Sequence, residues 1–518
     1  MVRCSYDLTQ EPWINAVDKE GRAIQLGLYD LFERAHDLRG LDEQNPLVEA
    51  ALLRLFLALT HRIVQGPATP KEWRAIYRLG RFESSAVNNY FTHWQKRFDL
   101  FHPEYPFMQT PGLKNYNNEG HEVSFGIGTQ LIHISTGGNK TLFDHHIDEQ
   151  GLTLNPKDSI KALLGLNAYS FGGTAKKKSN FFGYQQNFFQ TVLWKGVFCI
   201  LKGENLFETL ALNTLIYSGD APIPRTKKLG EDAPTWEWEP NIPVAGPTTP
   251  RGYVHYLTAR CRHTLLYPEK EEAGLVVRRI NIAQGEQFPD IREPFFPYTQ
   301  NSEGLLEPVR ARPDRLLWRD SLSFFFFLDT EDLRPAPICQ IGRTGNRAQV
   351  PLASRYRCCA FALTSHRANP LSWRKEILSV PLELLKNKEA VAFLQVAIDK
   401  AEKCGRLLYH AVSYYIKQCF PEDSKYSDEY IYNFRTLDHF WSFLEAPFQS
   451  FLLALEDPDN SEQALQEWGK DLRRTALESF DRCVWQRYAD RAKTYQAWVQ
   501  AKDSLAYKCS KLINKGEG

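Results

Sequence analysis

The sequence predicts an α+β protein: a large mixed α/β domain over residues 1–378, followed by a C-terminal helical bundle of four-helix type over residues 379–518. Three observations carry that reading. Helix caps and short alternating apolar runs intermingle up to Pro381, and beyond it only helical periodicity remains. The 518 residues, 43% hydrophobic and 24% charged, are ample for a sizeable core.

Asn45-Pro46 opens the first strong helix, an N-cap followed by proline at the first helical position, with Gly66 as its expected end. Leu47, Val48, Ala50, Ala51, Leu52, Leu53, Leu55, Phe56, Leu57 and Leu59 make it apolar nearly all round, as in a helix inside a domain. Thr69-Pro70-Lys71-Glu72 is a capping box for a second helix, and Gly80 ends it. Val87, Tyr90, Phe91, Trp94 and Phe98 then recur at helical spacing. Asn155-Pro156 starts a further helix, with Ile160, Leu163, Leu164 and Ala168 inward, that runs into Phe171-Gly172-Gly173. Seven prolines from Pro222 to Pro250 predict a long extended crossing.

Alternating residues in Gly252-Tyr253-Val254-His255-Tyr256-Leu257 and in Val276 to Ile282 predict strands. Phe324 to Leu328 fits either a buried strand or part of a core helix. After Pro381, Phe393, Val396, Ala397, Ala401, Cys404 and Leu408 share one helical face. Leu437, Phe440, Trp441, Leu444 and Phe448 make a second stripe, and Leu465, Trp468, Leu472, Ala476 and Phe480 a third. Tyr488, Ala492, Tyr495 and Trp498 continue it, which suits an up-down bundle.

Sixty-three basic against 62 acidic residues leave a formal charge of +1, which excludes a polycationic coat protein but leaves room for a local basic groove. No run approaches a membrane span: Ala50 to Val64 is broken by Arg54, Thr60, His61 and Arg62. The N-terminal residues carry no apolar secretory core. Ten scattered cysteines with no C-x-x-C pair read as reduced, mostly buried thiols of a cytoplasmic protein.

Catalytic signatures are sparse. Ser135-Thr136-Gly137-Gly138-Asn139-Lys140-Thr141 lacks the glycine before lysine that a phosphate-binding loop of nucleotide hydrolases needs. Asp144, His145 and His146 suggest a metal-dependent hydrolase or nuclease. Adjacent histidines on a strand point to opposite faces, however, and no spaced His/Glu partner exists, so a solvated polar cluster is favoured. No G-x-S-x-G is present. Phe171-Gly172-Gly173 before Lys176-Lys177-Lys178 reads either as a helix cap and a solvated face, or as backbone that presses on a nucleic-acid strand while lysines neutralise phosphates.

Read in order, several blocks resemble one family. They are Glu11-Pro12-Trp13-Ile14, the run from Leu52 to Ala58, and Arg97-Phe98-Asp99-Leu100-Phe101-His102-Pro103-Glu104-Tyr105-Pro106-Phe107-Met108-Gln109. Gly203 to Leu210, Pro234-Thr235-Trp236 and Leu317-Trp318-Arg319-Asp320 follow. The resemblance, over essentially the whole chain, is to CasA, the large subunit of the type I-E CRISPR surveillance complex Cascade. It implies a non-enzymatic subunit that recognises the protospacer-adjacent motif (PAM) in duplex DNA through the minor groove. It also implies help in opening the duplex for guide-RNA pairing and recruitment of a separate helicase–nuclease. The implied partners are the crRNA-bearing backbone, handle-binding and small subunits.

The same resemblance places the family's glycine loop at Ser170, Phe171, Gly172 and Gly173, with serine where a glycine can occur. The loop near the guide RNA's 5′ end falls on Ser135 to Phe143, with Asn139 and Phe143 matching. The lysine finger falls near Arg278, with Arg279 adjacent, and arginine suits a narrow electronegative groove. The wedge hairpin falls on Arg367, Ala368, Asn369 and Pro370, without the glutamine of some members. The family's occasional cysteine cluster is absent, so no structural zinc and no cofactor are expected.

Overall fold

The computed structural model describes residues 4–130, 152–174, 177–182, 187–218, 221–224, 232–238, 243–326, 332–344, 355–366, 369–419, 435–485 and 492–514. The chain forms two compact units. One comprises residues 1–313, 333–352 and 357–377, and the other 314–332, 353–356 and 378–518. Among the described residues no helix is long and apolar enough to cross a membrane.

The first unit is organised around the helix Pro46–Ile63, capped where Asn45 Oδ1 accepts the Leu47 N–H at 2.9 Å. The helix stops at Ile63, before the expected Gly66, because the chain turns left-handed already at Gln65 (φ 58°) and stays so at Gly66 (φ 59°). Even its Arg54 is buried. The guanidinium donates to Glu293 at 2.9 Å and to the Tyr256 and Leu257 carbonyls at 2.8 and 3.1 Å, so the desolvated charge is fully met. Thr69 caps Pro70–Leu79, and Gly80 ends it in the left-handed conformation. Asn155 caps Pro156–Tyr169, its Oδ1 accepting the Asp158 N–H at 2.8 Å.

Antiparallel sheets surround these helices. Ile14–Asp18 lies between Ala23–Leu26 and Leu38–Leu41. Phe198–Lys202 pairs with Arg355–His366, which continues to Asn369–Pro381. The strands Arg262–Glu271 and Gly274–Gln284 form a long hairpin, edged by the short strand Phe125–Gly126. Val276 to Ile282 therefore is the strand its alternation predicts.

Tyr253–Leu257 is not. It forms a short buried helix because the Asp232 carboxylate, far back in the chain, accepts the Val254 and His255 N–H groups and caps it. Asp232 sits so close to Gly252 that a Cβ there would lie 2.4 Å from its carboxyl carbon. Phe324 and Phe325 resolve the other ambiguity as part of the short helix Leu322–Phe325. The described residues of the proline-rich crossing hold only a short 3-10 turn, Thr235–Glu237, and a two-residue strand, Gly246–Pro247.

The second unit is helical: Lys388–Cys419, Thr436–Phe443, Glu445–Ala454, Ser461–Phe480 and Ala492–Asn514. Trp468 donates its indole N–H to the Ala397 carbonyl at 3.0 Å, and Trp318 packs against Trp441, Phe448 and Trp468. The last helix buries Ala497, Ala501, Leu505 and Cys509, and leaves Tyr495 at the surface, contrary to the aromatic stripe the sequence suggests. Small residues win the inner face because they admit close approach to Lys388–Cys419, where the Cys404 and Cys509 sulfurs stand 3.6 Å apart.

Candidate nucleic-acid interface

The glycine turn begins where Pro156–Tyr169 runs out of helix. Ser170 is buried and works inward: its Oγ donates to the Leu166 carbonyl at 2.6 Å, and its N–H donates to Thr191 Oγ1 at 2.7 Å. Phe171 packs 5.9 Å from the Trp194 ring. Gly173–Thr174 then pairs antiparallel with Asn187–Phe188.

The two glycines have different causes. A Cβ on Gly172 would stand 3.0 Å from the Phe188 carbonyl oxygen, so the fold itself demands the missing side chain. Gly173 is exposed, and a Cβ there would meet only the edge of the Phe171 ring, at 4.0 Å. Neither has a positive φ. Among the described residues nothing explains the second glycine, which is exposed.

Arg262 holds this turn from below. It is 3% exposed and donates to three backbone carbonyls, those of Cys261 at 2.9 Å, Phe171 at 2.9 Å and Phe189 at 2.6 Å. Its guanidinium lies 4.8 Å from the Phe188 ring centre. Burial draws its pKa down to about 10, which still leaves it cationic at neutral pH. Sequence reasoning missed Arg262. The only available signal was two arginines, Arg260 and Arg262, interleaved with apolar residues at the start of a strand.

Of the lysine run, Lys176 lies outside the described residues. Lys177 donates to the Ser124 carbonyl at 2.7 Å and sits 3.8 Å over the Phe125 ring, and its burial lowers its pKa. Lys178 is exposed in a strand opposite Tyr116.

Arg278 and Arg279 lie at the middle of the strand Gly274–Gln284 and reach toward the hairpin turn. A β-bulge between Tyr267 and Pro268 pairs Arg279 with Tyr267 and Val277 with Pro268, and leaves Arg278 as the extra residue. Broken alternation lets both arginines reach the same side. Arg278 pairs with Glu269 at 3.0 Å and with Glu271, and Arg279 pairs with Glu269 at 3.2 Å. The two carboxylates raise the Arg278 pKa.

The glycine turn is tied to the opposite end of the same strand, where the Phe189 N–H donates to Gln284 Oε1 at 2.9 Å. Gln284 lies six positions along the strand from Arg278, about 20 Å. Lys177 lies between them on Phe125, which pairs with Ile280 beside Arg279. The structure thus brings the glycine turn, Lys177 and the two arginines onto one hairpin.

The remaining expectations concern other segments. Asn139, Phe143, Asp144, His145, His146, Arg367 and Ala368 lie outside the described residues. Asn369 and Pro370 begin the strand Asn369–Pro381. Among the described residues no group of three His, Cys, Asp or Glu side chains is arranged to hold a metal ion.

Comparisons with known proteins agree with this architecture. A CRISPR-associated protein CasA/Cse1 from Thermus thermophilus is 28% identical over 495 residues, 92% of this chain and 91% of that protein. The crystal structure of Cse1 from Acidimicrobium ferrooxidans superposes with a TM-score of 0.81 at 23% identity, covering 99% of each chain. A chain of a CRISPR RNA-guided surveillance complex superposes at 0.73 and 22% identity, over 97% of this chain and 99% of that one. The family model for CRISPR-associated protein Cse1 matches residues 7–479. With that match spanning nearly the whole chain, the protein belongs to the Cse1, or CasA, family.

Proposed function

We propose that the chain is the non-catalytic large subunit of a type I-E CRISPR RNA-guided complex, where it reads the PAM in double-stranded DNA and begins to open the duplex. The observation that carries this reading is Gly173: an exposed glycine with free space above it, on a turn that the buried Arg262 clamps from beneath. A turn without a side chain lets backbone N–H groups approach a phosphate closely, and a rigid support keeps that approach from costing order. Lys178, exposed five residues along the chain, supplies positive charge for phosphate in this reading. One structural neighbour belongs to a CRISPR RNA-guided surveillance complex, which supports the same context.

In this reading residues 1–378 handle nucleic acid and residues 379–518 dock neighbouring subunits and help recruit the helicase–nuclease. Arg278 or Arg279 enters the minor groove in place of a lysine, exchanging Glu269 for DNA. Asn139 and Phe143 meet the guide RNA's 5′ end, and the segment Arg367, Ala368, Asn369 and Pro370 separates the strands.

Binding of reconstituted complex to targets that differ only in the PAM tests the proposal; equal affinity for both defeats it. Gly173→Asp puts a carboxylate against phosphate and is expected to weaken intact duplex by on the order of 1–3 kcal/mol, with a smaller loss on pre-melted target. Equal losses on the two substrates would remove the turn from duplex recognition.

A further inference from the structure

The chain that follows the glycine turn carries exposed aromatic rings. Phe189 is 38% exposed and Phe181 is 41% exposed. Phe189 is fixed at both ends of its peptide unit: its N–H donates to Gln284 and its carbonyl accepts from Arg262. Its neighbour Phe188 takes the inward place over the Arg262 guanidinium. Phe181 is turned out in the same way, because Phe182 packs inward, 5.8 Å from the His263 ring. Arg262 and His263 are consecutive in one strand and so point to opposite faces, which places Phe189 on the Arg262 face and Phe181 on the other face at the same end of the long hairpin. Val244, whose carbonyl is 2.9 Å from His263 Nε2, adds a third exposed apolar side chain at 38%.

The charge of this stretch of chain bears on what Phe189 fits. Between Asp158 and Glu204 the chain has no acidic residue and six lysines, of which Lys161 is buried against Glu43 while Lys178 is exposed. Flat rings in an acid-free, lysine-bearing segment suit a partner that is aromatic and anionic together, which is a nucleic acid. Within a duplex the base faces are hidden by stacking, so the ring contact requires an unpaired base. We propose that Phe189 is a stacking site for a base of the target DNA that has been unpaired at the opened end of the duplex. This rests on the reading of the Gly173 turn as a duplex contact. It adds that the same corner of the hairpin also holds the product of opening.

The test uses the reconstituted complex and two targets, an intact duplex and one carrying a mismatched bubble next to the PAM, with 2-aminopurine at the first unpaired position of the DNA. Phe189→Ala is expected to lower affinity for the bubble target about five- to hundredfold and to raise the 2-aminopurine signal as stacking is lost. Phe189→Trp should retain both binding and quenching, whereas Phe189→Leu, which keeps apolar area without a π-face, should lose quenching. Unchanged bubble affinity in Phe189→Ala overturns the proposal. So does a Phe189→Leu protein that behaves like the parent, which would mark an apolar protein contact, or a response confined to 2-aminopurine placed in the guide RNA. Gly173→Asp is run alongside. If it weakens intact duplex while Phe189→Ala is silent, the stacking site alone fails; if neither variant has an effect, the duplex contact fails with it.

Discussion

Toward its turn the long hairpin surrounds Arg278 and Arg279 with Glu269 and Glu271, while at its open end Arg262 is buried among carbonyl oxygens beneath a stretch of chain without acidic residues. The two ends use the same side chain for opposite purposes. At the turn, guanidinium charge is displayed and balanced, so it is available to a ligand only by exchange. At the open end it is withdrawn from water and spent on geometry, and display passes to backbone, lysine and phenylalanine. Counting basic residues therefore says little about which end touches nucleic acid.

The largest expected effect lies at the open end. Arg262→Ala strands the Phe171 and Phe189 carbonyls and opens a void, at a cost of about 3–5 kcal/mol by chemical denaturation. Arg262→Lys should recover only part of it, because an ammonium cannot span acceptors as a planar fork does. A stability loss no greater than that of Arg279→Ala would erase the distinction between the two ends.

Next comes pH. Burial holds the His263 pKa down to about 4, against 6.5 unperturbed, so the unfolded chain binds more protons between these values. Stability of the first unit should be full above about pH 6.5 and fall progressively toward pH 4, by on the order of 3 kcal/mol from this group. His263→Gln, lower in stability at neutral pH, should flatten that slope in thermal melts recorded across the window. An unchanged slope would show that His263 is more accessible than its burial indicates.

A smaller effect separates the two glycines. Gly172→Ala must push the Phe188 carbonyl by a few tenths of an ångström and should cost about 1 kcal/mol. Gly173→Ala should leave the melting temperature unchanged yet weaken duplex binding. The smallest effect belongs to the turn: Glu269→Gln should leave folding untouched and steepen the salt dependence of DNA binding by about one phosphate contact. An unaltered slope would mean that Arg278 and Arg279 are not used.

Much of the scaffold was legible because its signals are local. Asn45, Thr69 and Asn155 cap helices within three residues of themselves, and Val276 to Ile282 alternates as a strand does. What escaped was set from a distance. Tyr253–Leu257 is helical because of Asp232, and Gly172 differs from Gly173 because of the Phe188 carbonyl. Arg278 shares Glu269 with Arg279 because of a bulge at Tyr267 and Pro268, for which the strand proline is the one local sign. The inner face of Ala492–Asn514 was misread because size, rather than apolarity, decides which side of a closely packed helix turns inward.

The way the chain is shared between its units has a consequence for biosynthesis. The strand Phe198–Lys202 waits for residues 357–361, and the helical unit takes in 314–332, well before its main body is translated. Neither unit can close while the ribosome is still within the first three hundred residues. Emerging apolar strands must therefore stay soluble for most of synthesis, and shortened versions ending ahead of residue 355 should aggregate rather than yield a working half.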